Sequence, residues 1–203
     1  MTKEAAKLAI TGGIGAGKSF VSSLFETLGI PVYNADTEAK RLMNSDRNLK
    51  AAIKQLLGNE AYHKNGRLNR KYLASRVFEN SNILTALNRI VHPAVRQDFD
   101  SWSQNQKAEY VLEESAIVFE ADLAKYFKAV ILVVADRDTR IDRIIDRDAT
   151  SKEAVISRMN NQWPDDRKIP LADYIINNDG AESLVKQVHS IHRSILENLN
   201  QEK

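Results

Sequence analysis

Cysteine is absent from the 203 residues, which excludes a disulfide framework, a thiolate metal site and a cysteine nucleophile, and suits a reducing compartment. An excess of one charge is also missing. Lys+Arg 29 against Asp+Glu 27 leave a formal net charge of +2, so no overall field draws the chain to nucleic acid or to an anionic membrane. No stretch approaches the roughly 20 apolar residues that span a bilayer, and the opening MTKEAAKLAITGG reaches glycine too soon for a secretory hydrophobic region. A cytoplasmic protein is expected, without nucleic-acid or membrane partners, as a monomer or small homo-oligomer. Repeats, low-complexity tracts and linkers are lacking too. With 43% hydrophobic residues the chain suffices for a single domain with a real core.

What the sequence does have is alternation. Short apolar runs at 8–11, 31–33, 110–112, 129–135 and 174–176 are separated by helical patterns, which implies parallel strand pairing. The run AVILVV at 129–134 is apolar without alternation, as expected of a central strand covered on both faces. The expected fold class is α/β with a doubly wound parallel sheet, its core formed by about 1–35, 106–146 and 169–203. Between Asp36 and Asn105 the pattern is helical: Leu56, Leu57, Leu73, Val77, Phe78, Leu84, Leu87 and Val91 are spaced for an amphipathic face. A helical insertion is predicted there. A second stretch, 147–168, is rich in Asp, Arg, Lys and Asn and poor in core residues, and is predicted to project from the body.

One motif carries chemistry by itself. Gly12-Gly13-Ile14-Gly15-Ala16-Gly17-Lys18-Ser19 satisfies G-x-x-x-x-G-K-[ST], follows an apolar run and opens a helical pattern at 20–28. Glycines let successive backbone N–H groups face phosphate oxygens in conformations a Cβ obstructs. The lysine adds charge at the β- and γ-phosphates, the serine hydroxyl reaches Mg²⁺, and the helix N-terminus adds favourable potential. A guanine-reading N-K-x-D is absent, since Asn177-Asn178-Asp179 lacks the lysine.

Other residues carry two readings each. Asp36 falls at the carboxyl end of a predicted strand, where open parallel sheets bind ligands; it is either a general base or the N-cap of a helix at 37–43. Arg140, Arg143 and Arg147 share one helix face and either converge on phosphate or pair with Asp136, Asp138, Asp142, Asp146 and Asp148. His92 before Pro93 is a ligand or a histidine at a helix break. His189 and His192 lack a third metal ligand and read as core or surface histidines. Trp102 and Trp163 stack on a base or pack, and Trp163 lies in the projecting stretch.

Read in order, the motifs resemble the dephospho-CoA kinase family. The block from Ile10 to Ser19, then Leu28-Gly29-Ile30-Pro31 and Asn34-Ala35-Asp36, is similar to the family's TGGIGSGKS and DAD elements. Gly66-Arg67-Leu68-Asn69-Arg70, Val77-Phe78, Ile90-Val91-His92-Pro93, Phe119-Glu120, Arg143, Arg147-Asp148 and the block 172–180 follow in the family's order. The resemblance implies a P-loop kinase with a helical substrate-binding insertion at about 36–105 and a lid at about 147–168. It implies transfer from ATP, with Mg²⁺, to the ribose 3′-hydroxyl of dephospho-CoA. Lys18, Asp36, Arg143 and Arg147 would be catalytic. Gly13, Ile14, Gly15, Ala16, Gly17, Lys18, Ser19, Phe20 and Asn178 would hold nucleotide, Asn178 at the adenine. Ser19 would meet the metal, and Thr11, Asp36 and His92 the acceptor. Asn34 and Asn69 depart from the family's usual Asp, and Glu114-Ser115-Ala116 stands where the family more often has D-x-P, which leaves the role of Glu114 open. Other readings are a kinase for a nucleoside, nucleotide or sugar acid, and a nucleotide-dependent regulatory switch.

Overall fold

Five apolar segments pair into one sheet in a computed structural model that describes residues 4–201, without the side chains of Phe78, Glu79 and Ser81. The Phe78 position of the predicted stripe and the first three residues therefore lie outside the description. The strands are β1 (Ala6–Thr11), β2 (Val32–Asn34), β3 (Tyr110–Glu114), β4 (Ala129–Val134) and β5 (Tyr174–Asn177). Their order is β2-β3-β1-β4-β5, and β1 pairs in parallel with β3 and with β4, as β4 does with β5. The helices are α1 (Lys18–Thr27), α2 (Ala35–Ser45), α3 (Arg47–Leu57), α4 (Arg70–Glu79), α5 (Ser81–Gln104), α6 (Arg137–Asp148), α7 (Lys152–Met159), α8 (Asp165–Lys168) and α9 (Leu184–Gln201). No helix among the described residues is long and apolar enough to cross a membrane.

The chain divides into two compact units, one of residues up to 33 with 103 onward and one of residues 34–102. In the first, the two-residue side-chain period of a strand fills both faces of the sheet. Leu8, Ile10, Ile131 and Val133 enter a cluster with Val21 and Phe25 of α1 and Val188 and Ile195 of α9. Ala9, Val130 and Leu132 point the other way, against Val118 and Phe119. Each such fully buried aliphatic or aromatic side chain contributes about 1.5–3 kcal/mol from apolar burial.

The stretch predicted to project is tied down instead. Val155 of α7 is fully buried with Ile141 and Ile144 of α6, Trp163 packs on the Val118–Phe119 cluster, and Lys168 is 0% exposed with its ammonium 2.7 Å from Glu120 Oε1. The polar composition misled because Val155, Ile156, Met159 and Trp163 turn onto the body and a buried ion pair supplies another anchor.

In the unit of residues 34–102, Leu87, Val91, Val95 and Phe99 of α5 are buried four residues apart. Leu84, predicted on that stripe, is 43% exposed. Arg41 of α2 donates from Nη2 to both oxygens of Asp98 on α5 at 2.7 Å. The break expected at His92 does not occur, and α5 runs through Pro93. Proline removes one helical N–H donor, but the buried stripe continues on both sides and carries the helix across it.

Candidate active site

The loop from Gly12 to Gly17 leaves β1 and enters α1. Gly17 has φ 94°, and a Cβ there would fall 2.2 Å from Asn178 Nδ2, so both backbone and space require glycine. At Gly13 a Cβ would fall 2.0 Å from Arg140 Nη2. Lys18 opens α1 and donates from Nζ to the carbonyls of Gly12 at 3.0 Å and Gly13 at 3.4 Å. Its charge therefore lies along the loop's own backbone. Thr11 at the end of β1 has a buried hydroxyl without a hydrogen-bond partner, while Phe20 is exposed.

Sheet register brings a carboxylate to the root of this loop. Glu114, the last residue of β3, pairs in register with Ile10 of β1, is 7% exposed, and accepts a 2.7 Å hydrogen bond from Ser19 Oγ. A hydroxyl and a carboxylate so joined form an oxygen donor pair suited to a hard cation, which keeps most of its other positions for water and phosphate. No group of three or more His, Cys or acidic residues among the described residues is placed to hold a metal ion by itself.

The three arginines of α6 take three different positions. Arg140 is buried, donates from Nε to the Ile14 carbonyl at 2.9 Å and pairs through Nη1 with Asp165 at 2.9 Å. Arg143 donates from Nη2 to the Asn178 carbonyl at 3.0 Å, and its Nη1 is buried without a partner. Arg147 is turned to Asp148, donating from Nε at 2.8 Å, and Arg158 donates to the same carboxylate at 2.8 Å. These bonds hold the Asp148 carboxyl below its ordinary pKa, the Arg147 bond foremost. Asn178 donates from Nδ2 to the Ala16 carbonyl at 2.8 Å, so its amide stands behind the loop.

Asp36 occupies the second position of α2 and is exposed. The cap is Asn34, whose Oδ1 accepts from the Thr37 N–H at 2.9 Å. The N-cap reading of Asp36 is thereby overturned: α2 begins at Ala35, two residues before the predicted start. His92 is half-buried, and burial first, then the Arg96 charge, lowers its imidazole pKa below 6.5.

The family model for dephospho-CoA kinase matches residues 6–183. The chain belongs to the dephospho-CoA kinase family. A dephospho-CoA kinase of Bacteroides fragilis is 36% identical over 185 residues, covering 91% of this chain and 90% of that protein. Among solved structures, TT1252 from Thermus thermophilus is 30% identical with a TM-score of 0.85, covering 96% of this chain and 99% of that one. Dephospho-CoA kinase from Campylobacter jejuni has a TM-score of 0.69 at 22% identity, covering 95% and 98%, and supports the fold. Membership of the dephospho-CoA kinase family makes the protein an ATP-dependent kinase.

Against the usual dephospho-CoA kinase elements, each departure now has a local account. Asn34 caps α2, Asn69 caps α4 by accepting from the Tyr72 N–H at 3.1 Å, and Glu114 is the partner of Ser19. Asn and Asp cap helices about equally well, so both replacements preserve the turn. Sequence reasoning left Arg140 undecided and passed over Gln162, whose Oε1 accepts from the Ile14 N–H at 2.8 Å. Nothing in a lone Gln signals such a contact. Trp163 lies under the Arg167 guanidinium, 3.3 Å from the ring centroid, and Trp102 stacks on Phe99 at 6.0 Å; both pack. His192 is half-buried, with Nδ1 2.8 Å from the Tyr110 hydroxyl.

Proposed function

We propose that residues 12–19 seat ATP and that its γ-phosphoryl group passes in line to the ribose 3′-hydroxyl of dephospho-CoA, giving CoA and ADP. The 3′-oxygen forms a bond to the γ-phosphorus as the bond from that phosphorus to the β–γ bridging oxygen breaks, and the hydroxyl proton goes to the Asp36 carboxylate. The Ser19–Glu114 contact is the observation that carries this reading, because it sets a carboxylate beside the hydroxyl that follows the phosphate-loop lysine. Ser19 and Glu114 would hold Mg²⁺, which supplies charge neutralisation at the phosphates.

Lys18 leaves the Gly12 and Gly13 carbonyls for the β- and γ-phosphates, and the backbone amides at the start of α1 face the same oxygens. Arg143 brings a buried, unpartnered N–H to charge developing at the transferred group. Arg147 joins it by exchanging Asp148 for phosphate. Asn178 serves the nucleotide through the Ala16 carbonyl it holds. On the acceptor side, Thr11 and His92 are assigned to dephospho-CoA, with Asp36 as the base. Phosphoryl transfer asks little covalent chemistry of a protein, so positioning and charge stabilisation do most of the catalysis.

A coupled ADP-release assay over a panel of acceptors tests the proposal. Dephospho-CoA should be preferred over nucleosides, nucleotides and sugar acids. ATP turnover independent of any acceptor would instead favour a regulatory switch.

A further inference from the structure

Ile14 is held at both of its backbone polar atoms by side chains distant in sequence. Its N–H donates to Gln162 Oε1 at 2.8 Å, and its carbonyl accepts from Arg140 Nε at 2.9 Å. Arg140 is 8% exposed and pairs through Nη1 with Asp165 at 2.9 Å, so the two groups that grip the peptide are linked by a short piece of chain. The guanidinium also lies against the loop one residue earlier, in the space a Cβ on Gly13 would need. The Ile14 side chain packs on Ile141, Ile144 and Val155.

Gln162 is itself anchored. The next residue, Trp163, donates its N–H to Glu120 Oε1 at 3.0 Å, and Lys168 reaches the same oxygen at 2.7 Å. The N–H and the C=O of one residue belong to successive peptide planes, each rigid, so fixing both sets the directions of the chain on either side. The loop that continues through Gly15, Ala16 and Gly17 therefore starts from a set orientation, and less ordering entropy is lost when phosphates bind its amides.

We propose that Gln162, acting with Arg140 on the Ile14 backbone, is a positioning residue that pre-orders the loop for ATP; this rests on the reading that residues 12–19 seat the nucleotide. Gln162 keeps its bond to Ile14 when ATP is bound. The packing of the 147–168 stretch and the affinity for nucleotide are thereby linked, since displacing that stretch releases Ile14.

The test compares Gln162→Met, which keeps length but has no acceptor oxygen of comparable strength, with Gln162→Glu, which retains one. Gln162→Met should raise KM for ATP about tenfold, the scale of one lost hydrogen bond, with kcat within about threefold and KM for dephospho-CoA unchanged. Gln162→Glu should recover most of the loss. An unchanged or lowered KM for ATP in Gln162→Met, an equal rise in both KM values, or a Gln162→Glu protein as impaired as Gln162→Met overturns the proposal. Amide exchange of Ile14, followed by NMR in the wild-type protein, gives a readout independent of whether either variant folds. Protection with and without ATP is expected, and exchange at the rate of an open surface amide in either state rejects the brace. ATP failing to bind the wild-type protein would remove the nucleotide reading as well, whereas wild-type binding with a normal Gln162→Met removes the brace alone.

Discussion

Ser19 Oγ and Glu114 Oε1 are 2.7 Å apart and hydrogen-bonded, joining the first turn of α1 to the last residue of β3. If this pair holds Mg²⁺, Glu114→Gln keeps the size and the accepting oxygen of the side chain but deletes its charge. The Mg²⁺ concentration for half-maximal activity should rise at least about tenfold, with the melting temperature little changed. An unaltered Mg²⁺ titration would remove Glu114 from the metal site.

Lys18→Ala should reduce phosphoryl transfer to near background, because it deletes the charge assigned to the β- and γ-phosphates. The ammonium donates to the Gly12 and Gly13 carbonyls of its own loop, so thermal unfolding should shift by little. Near-wild-type turnover at saturating ATP and Mg²⁺ would show that this lysine does not act in transfer.

For Asp36 the structure simplifies the experiment. Since Asn34 and not Asp36 accepts from the Thr37 N–H, Asp36→Asn leaves the cap of α2 intact and removes only the basic carboxylate. Turnover with dephospho-CoA should fall on the order of 10² to 10⁴-fold while ATP binding and melting temperature hold. A variant keeping more than about a tenth of wild-type turnover would contradict the general-base role.

His192 should make the fold sensitive to mild acid. Burial first, and the His189 charge second, lower its folded pKa below 6.5. In the unfolded chain the imidazole takes up its proton near 6.5, ahead of the folded protein, so the unfolded state binds more protons over the window just below that pH. The resulting sign is loss of stability as pH falls from about 7.5 to 5.5. His192→Gln should flatten the melting-temperature profile over that range relative to wild type. Parallel profiles for the two proteins would show that His192 does not contribute.

The sheet was legible because its strands are short, apolar and separated by helical periods, and because G-x-x-x-x-G-K-[ST] demands a strand before it and a helix after it. Strand ends moved by a residue or two where the local signal was weakest: Asn34 ends β2 although asparagine is a poor strand former. The arginines of α6 were legible as a shared helix face but not as three separate fates, which depend on Asp165, Asn178 and Asp148 being placed by tertiary structure. The same holds for Glu114, whose spacing from Ser19 in sequence carries no information until β3 pairs beside β1. Composition misjudged the 147–168 stretch, since a charge count cannot distinguish an exposed Lys from Lys168 against Glu120.

The pairing of β1 also sets an order of events during synthesis. Ala6 pairs with Tyr110, and Leu8 with Ala129, so the strand that carries the phosphate loop has neither neighbour until about a hundred further residues have left the ribosome. At typical elongation rates of roughly 5–20 residues per second that wait is on the order of 5–20 s. An apolar strand followed by a glycine-rich turn is thus exposed for about half of the chain's emergence. Nascent-chain capture by a chaperone should be greatest for stalled chains that end before β3 and should drop once β4 has emerged, whereas residues 34–102 form local helical contacts that need no such delay.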